Sequence, residues 1–435
     1  MTYTIGIDIG FTKIRGVLIE LSTKRLVDSI TRSNSTEMPS EMFESLQDPD
    51  EMFKIAKDII DDLMNDLNGD DFVSFIGLTG QMHGMTYVDE NGAAVSPFFT
   101  WKDKRGDRNY KNDVSYASYI KAVTLRPSVS GYGLVTHFYN VENGVVPPNA
   151  ARLTTIQGYV AMKLSNSKIP ILHMSDAASL GLYDVENNCF DLQSIKAVGL
   201  DEKILPIVST EVVTVGQYKS AKVICPIGDN QASFFGSVTE ENSVFVNIGG
   251  TCQVSIEIPY FRPAGHLEER PYFDGKYLLV GTSICGGYAY EMLKNFYIDV
   301  FKMFDVKPPE DLYSTMNMSA FEAYKQGNPL CVDTQFCGSK IDPTKRGSIT
   351  DITSENFDPT HLSLGMLAGI SEELYQIIES DLPSDFTLVG GGKGVKRNTL
   401  MQKLLSEKFN KAINIPQIED EAAFGASLIS LKIKK

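Results

Sequence analysis

The sequence predicts an α/β protein of two similar domains, and three observations predict it. The chain has 435 residues, two to three times an ordinary domain. A strand–glycine turn–strand pattern near the N-terminus is echoed at the start of the second half. Between and after these echoes, period-2 apolar runs alternate with period-3.6 runs, the pattern of α/β architecture.

The first echo is Thr4–Glu20, where Ile5, Ile7 and Ile9 share one strand face and Gly6, Asp8 and Gly10 the other. A turn at Gly10–Lys13 follows, then a second apolar run through Val17 and Ile19. Ser243–Ile258 repeats this with Val244, Val246 and Ile248, a Gly249-Gly250-Thr251 turn, and Val254, Ile256 and Ile258. Such self-similarity implies duplicated domains. Glu51–Leu67, with apolar residues at Ile55, Ile59, Ile60, Leu63 and Leu67, predicts an amphipathic helix. Phe72–Leu78 reads as a buried strand, as does Phe386–Val389, with a helix after Asn398. The domain boundary is expected at Thr239–Asn242, giving domains 1–239 and 240–435.

A net charge of -15 argues against general nucleic-acid binding, which draws its affinity from Lys and Arg on phosphates. The six cysteines show no C-x-x-C pair, which fits a reducing compartment. With no signal-peptide pattern and no apolar run of ~18 residues, the expected location is cytoplasmic.

Five segments are candidates for chemistry. Asp8-Ile9-Gly10-Phe11-Thr12-Lys13 sets a carboxylate beside a glycine turn with a hydroxyl and an ammonium. That suits a Mg²⁺–phosphate site, with Asp8 toward the metal and Gly10, Thr12 and Lys13 toward phosphate; a surface hairpin is the alternative. Gly80-Gln81-Met82-His83-Gly84 follows a strand, where Gln81, the backbone and His83 can hydrogen-bond a polyol. Trp101-Lys102-Asp103-Lys104-Arg105 holds the only tryptophan. Its ring would stack on a sugar and Asp103 would accept hydroxyl protons, or the segment is a charged loop anchored by a buried Trp.

Gly228-Asp229-Asn230 precedes a small-residue helix start. Asp229 is the candidate acceptor of a hydroxyl proton, against the plain reading of a helix cap. Gly390-Gly391-Gly392 joins a strand to a helix opened by Asn398. Such glycines permit close approach to a purine or ribose; Asn398 either reaches the base edge or caps the helix.

Together and in order, these segments resemble the FGGY family of carbohydrate kinases, within the actin/hexokinase-like superfamily. The resemblance runs the length of the chain, to Glu421-Ala422-Ala423-Phe424-Gly425-Ala426. It implies two RNase H-like domains around a deep interdomain cleft, sugar held mainly by the first and ATP by the second. It makes Asp229 the catalytic base, Asn230, Met82, His83, Trp101 and Asp103 sugar-site residues, and Asp8 the Mg²⁺-associated aspartate. Gly391, Gly392 and Asn398 become the adenosine site. Two positions depart from the family pattern. Phe11 stands where a hydroxyl residue is usual, and Gly250 displaces the hydroxyl of the second phosphate turn (Gly250-Thr251) by one. The implied activity is phosphorylation of a ketose; a kinase for another polyol and a sugar- and nucleotide-binding sensor without turnover are the alternatives. Expected partners are a sugar and ATP, with no nucleic acid and no membrane; a homodimer is left open.

Overall fold

A computed structural model describes residues 1–67, 69–339, 342 and 344–434. They divide into two compact units. The first is Met1–Gly236 with Arg270–Tyr277 and Asp420–Lys435; the second is Ser237–Glu269 with Leu278–Glu419. The chain passes between them at 236/237, three residues before the expected boundary. The two returns to the first unit have no counterpart in the sequence reading.

In the first unit, β1 (Thr2–Ile9), β2 (Lys13–Glu20) and β3 (Arg25–Ser33) form an antiparallel meander. The helix α1 (Pro49–Asn65) follows, its first turn capped by the Asp48 carboxylate and started by Pro49. Met52, Ala56, Ile59, Ile60 and Leu63 bury its apolar stripe. The strand β4 (Phe72–Gly80) then runs parallel to β1. β5 (Thr214–Tyr218) and β6 (Ala221–Ile224) widen the sheet, and the two-residue β7 (Ile227–Gly228) pairs with the end of β4. From β7 the chain enters α2 (Asp229–Ser237).

The second unit repeats the plan. Its sheet is ordered β10 (Glu268–Pro271), β11 (Tyr277–Ser283), β9 (Cys252–Ile258), β8 (Ser243–Ile248), β12 (Thr387–Gly391), β13 (Ile413–Asn414). The order β11-β9-β8-β12 matches β3-β2-β1-β4, with the parallel strand beside the first strand of the meander in both units. Three helices matter for the site: α3 (Gly286–Met303), α4 (Leu312–Gln326) and α5 (Thr399–Lys408).

The last helix, α6 (Glu421–Leu428), belongs to the first unit. It lies flat on β1 and β4 because those strands carry glycine there. A Cβ on Gly6 would stand 1.9 Å from the Ala423 carbonyl oxygen, and one on Gly77 1.9 Å from that of Ala426. The central strands are therefore covered on both faces, and Ile5, Ile7 and Ile9 are fully buried on the other side. Among the described residues no helix is long and apolar enough to cross a membrane.

Candidate functional site

In the first unit the residues of interest collect at the carboxyl ends of three neighbouring strands. Ile9 of β1 pairs with Gly80 of β4, and Gly80 pairs with Gly228 of β7. Asp8 and Asp229 thus flank β4 about two strand spacings apart, ~10 Å. Asp229 is partly exposed at the start of α2, whereas Asp8 is buried. Burial and the nearby Asp229 charge push the Asp8 carboxyl up to about 7, against the pull of Arg15. Arg15 is its cross-strand partner, with Nη1 3.5 Å from Asp8 Oδ2 and Nε 3.0 Å from Asp420 Oδ1. Burial likewise raises the Asp229 carboxyl, opposed by the Arg270 guanidinium and the Asn230 amide.

The turn after β1 is rigidly held. Gly10 N–H donates to Lys13 O, Asn34 Nδ2 donates to Gly10 O, and Gln47 Nε2 donates to Phe11 O at 2.9 Å. Thr12 and Lys13 stand exposed at its tip. Phe11, where a hydroxyl was expected, carries the Lys102 ammonium 3.8 Å above its ring. Gln81 donates from Nε2 to Gln47 Oε1 at 2.8 Å, while its buried Oε1 has no partner among the described residues. Gln47 therefore joins the turn to the Gln81 loop.

His83 sits at φ 76°, a strained setting for a non-glycine residue. Its Nδ1 lies 2.9 Å from the Ser179 carbonyl, so that nitrogen carries the proton. Its ring stacks on Tyr132 with centroids 4.6 Å apart. Tyr132 is aimed by the glycines around it. Gly131 has φ 90°, and a Cβ there would stand 2.1 Å from the Trp101 carbonyl oxygen. Met82 is buried, its Cε 3.0 Å from where a Cβ on Gly228 would be, and Asn230 is buried in the first turn of α2.

Two sequence expectations are corrected here. Trp101 is 42 % exposed and is not the buried anchor of its loop. Asp103 is that anchor. It is fully enclosed, its Oδ1 accepts from Arg105 N and Nε, and its Oδ2 accepts from Ser45 N and Arg105 Nη2. Buried Arg105 is further held by Asn140 Oδ1 at 2.6 Å and lies over the Phe99 ring. With both oxygens committed, Asp103 does not receive a ligand's hydroxyl protons; it fixes the loop that presents Trp101.

Two groups of this site were not singled out as site residues from the sequence. Asp176 is fully buried, bonded by Thr155 Oγ1 at 2.8 Å and Gln157 Nε2 at 2.6 Å, and burial moves it up to about 7. Arg270 arrives from β10, just before the β10–β11 turn, more than forty residues on. The readable signal in that turn is its Pro-Tyr-Phe-Asp-Gly run.

In the second unit a cavity of about 1200 Å³ is lined by Gly249, Gly250, Tyr290, Asn317, Lys393 and Asn398, among others. Its wall is drawn tight where α3 begins: a Cβ on Gly287 would stand 1.9 Å from Gly249 O, and Tyr288 N–H donates to Gly250 O. Asn398 takes the capping role. Its side chain accepts from Met401 N–H, capping α5, and donates to Asn317 Oδ1 at 3.0 Å. Asn317 also receives the Tyr290 hydroxyl. Of the residues expected at a nucleotide, Gly250 and Asn398 line this cavity, and Thr251, Gly391 and Gly392 are not on its wall. Gly392, at φ 74°, instead packs on Asn247, whose Oδ1 is 2.4 Å from where a Cβ on Gly392 would stand. The volume and the open space around Gly250 suit a nucleotide.

Among the described residues no group of three His, Cys, Asp or Glu side chains is arranged as a metal site. A nucleotide-borne Mg²⁺ needs only one or two carboxylates, with phosphate and water completing its shell. Asp8 fits that requirement.

Comparison with known proteins agrees with this architecture. The model of the FGGY family of carbohydrate kinases, N-terminal domain, matches residues 3–233. A sedoheptulokinase from Mus musculus is 24% identical across 99% of this chain and 97% of its own. A xylulose kinase from Staphylococcus xylosus is 23% identical across 99% and 90%. Among solved structures, a xylulose kinase from Rhodospirillum rubrum superposes with a TM-score of 0.82 at 16% identity, over 99% of this chain and 89% of that one. With more than half of its length matched by the family model, the chain belongs to the FGGY family of carbohydrate kinases, enzymes that phosphorylate a sugar hydroxyl from ATP.

Proposed function

We propose that this kinase phosphorylates the terminal hydroxyl of a ketose, sedoheptulose foremost, with Asp229 as the general base. The observation that carries the reading is the carboxylate of Asp229, partly exposed at a strand end, with Asp8 across the neighbouring strand. Phosphorylating a hydroxyl requires an acceptor for its proton; positioning and charge neutralisation supply most of the remaining acceleration.

In this reading Trp101 stacks on the sugar, and Gln81, His83 and Asn230 hydrogen-bond its hydroxyls beside Met82. The unpartnered Gln81 Oε1 supports that role, because a buried acceptor without a donor costs about 1–3 kcal/mol. The turn Gly10–Lys13 contacts phosphate through Thr12 and Lys13. Asp8 would hold Mg²⁺, which when bound neutralises phosphate charge. The second unit's cavity would take the nucleotide, with Gly250 and Asn398 on its wall.

The full-length likeness to sedoheptulokinase supports the seven-carbon acceptor; the comparably long likeness to xylulose kinase makes xylulose the alternative. The test is ADP release against a panel of ketoses. A site built for seven carbons should prefer sedoheptulose over xylulose by at least ~10-fold in kcat/KM, equivalent to ~1.4 kcal/mol. Equal or better use of xylulose would overturn the acceptor and leave the kinase. For the base, Asp229→Asn should lower kcat by about 10²–10⁴-fold while sugar binding, read by calorimetry, persists. Near-parental turnover would remove Asp229 from the mechanism.

A further inference from the structure

Arg270 lies on no motif, yet several independent contacts of the residues just after it hold this part of the chain against the helix that Asp229 begins. The turn that follows it is clamped to α2, the helix that Asp229 begins. Gln231 Nε2, two residues after Asp229, donates to the carbonyl of Pro271 at 3.1 Å. Further along, Phe234 meets Tyr272 edge-on at 5.7 Å, and Phe235 meets Phe273 at 5.4 Å. His173 also meets Phe273, with ring centroids 5.3 Å apart. This places the Arg270–Tyr277 segment inside the first unit. The backbone next to Arg270 is thus fixed against the first turn of α2.

Burial disfavours the charge of the Arg270 guanidinium, and Tyr132, the residue stacked on His83, and Asp229 are among the groups close enough to act on it. Arg270 is thereby linked, through Tyr132, to the side of the site that holds His83. The other ionisable groups acting there are carboxyls. Asp8, on β1, and Asp176, beside β7, both feel the Asp229 charge. Arg15 serves Asp8 and Asp420 and is not among the groups acting on Asp229. The cation that does act on Asp229 is Arg270.

We propose that Arg270 is the positioning residue of the base: held by the β10–β11 turn against α2, its guanidinium pairs with Asp229 and keeps that carboxylate charged and aimed at the acceptor hydroxyl. All three carboxyls at this sheet end are raised by burial, and the Asp229 charge raises the other two further. A base must be ionised to accept a proton, so a fixed cation beside one of the three selects which of them works near neutral pH. Arginine suits this place because it stays charged when desolvated and its planar fork matches a carboxylate.

The inference rests on the proposed role of Asp229, and the experiment separates the two. The kcat/KM of the full chain for its best acceptor is measured from pH 5 to 9 for the parent, Arg270→Gln, Arg270→Met and Arg270→Lys, with Asp229→Asn alongside. An opposite charge at 4–6 Å holds a carboxyl down by 1–3 units. Removing it raises the pKa of the base, so activity that falls as pH drops through that pKa begins to fall at higher pH. Gln and Met should shift the acid limb up by about 1 unit or more, costing roughly 10-fold more activity at low pH than on the alkaline plateau. Lys keeps the charge and should keep the limb within ~0.5 unit of the parent.

A limb that does not move in either neutral variant, or a loss equal at every pH, overturns the proposal, since a purely structural arginine would act that way. Gln and Met differ in size and hydrogen bonding, so a packing failure in one leaves the other, and unfolding midpoints identify it. If Asp229→Asn is inactive and the limb stays still, Arg270 alone is wrong; if Asp229→Asn is active, the base assignment falls first.

Discussion

The two strand–turn–strand hairpins share one topology and differ in chemistry. Counting back two residues from the turn glycine, β1 carries Asp8 before Gly10 and β8 carries Asn247 before Gly249. In the first hairpin the position holds a buried carboxyl raised to about 7 and paired with Arg15. In the second, the amide packs where a side chain on Gly392 would otherwise sit. The first turn is locked by Asn34 and Gln47 and carries a phenylalanine with a lysine above it; the second has bare Gly250 with open space around it. The two hairpins share a backbone plan and differ in side chains, one concentrating charge and the other keeping room.

Converting the first hairpin toward the second should have the largest effect. Asp8→Asn is expected to lower kcat by about 10²-fold or more and to weaken the response to added Mg²⁺ more than the sugar KM. A parental Mg²⁺ titration would break the assignment. The same variant should gain stability at pH 8. The native Asp8 carboxyl binds its proton more tightly than in the unfolded chain, so from pH ~4 to ~7 the native state holds more protons and the parent loses stability as pH rises. Asp8→Asn removes that loss, so its melting temperature should exceed the parent's at pH 8 and approach it near pH 4. An equal difference at both pH values would show that burial is not the cause.

In the second hairpin, Gly392→Ala meets a left-handed backbone at φ 74° and the Asn247 side chain. It should cost about 1–3 kcal/mol in chemical unfolding. Sugar binding should persist in the folded fraction. The smallest expected effect concerns the altered first turn. Lys102→Met forfeits the ammonium over Phe11, a contact worth ~0.5–1 kcal/mol at an exposed site, and should change kcat/KM by only a few-fold. Phe11→Thr combined with Lys102→Met should then cost less than the sum of the single changes. Strict additivity would mean the two act apart.

What the sequence disclosed follows from the range of the forces involved. The hairpins, α1 and β4 were readable because period-2 and period-3.6 apolar runs are local consequences of one-sided burial. Asp8 and Asp229 stand out as candidates because each adjoins a glycine turn at a strand end. The Trp101–Arg105 loop carries two readings in the sequence because its residue pattern is the same whether the ring or the carboxylate is buried, and only Ser45 and Asn140, distant in sequence, decide it. Asp176 and Arg270 carry no site signal in the sequence because each reaches the site by a long loop closure. Asn398 carried two readings because a side chain that caps a helix can also line a cavity.

The close seating of α6 has a bearing on how the protein is made. Gly6 and Gly77, in strands formed from the first eighty residues, are covered by the backbone of residues 423–426. Gly425 in turn crosses α2 so closely that a Cβ there would stand 1.8 Å from the Ala232 carbonyl oxygen. During synthesis at ~5–20 residues per second, the two central strands are therefore left uncovered on one face for roughly 15–70 s, until the end of α6 emerges. For that interval the nascent chain presents an open sheet face, the exposure that chaperones recognise.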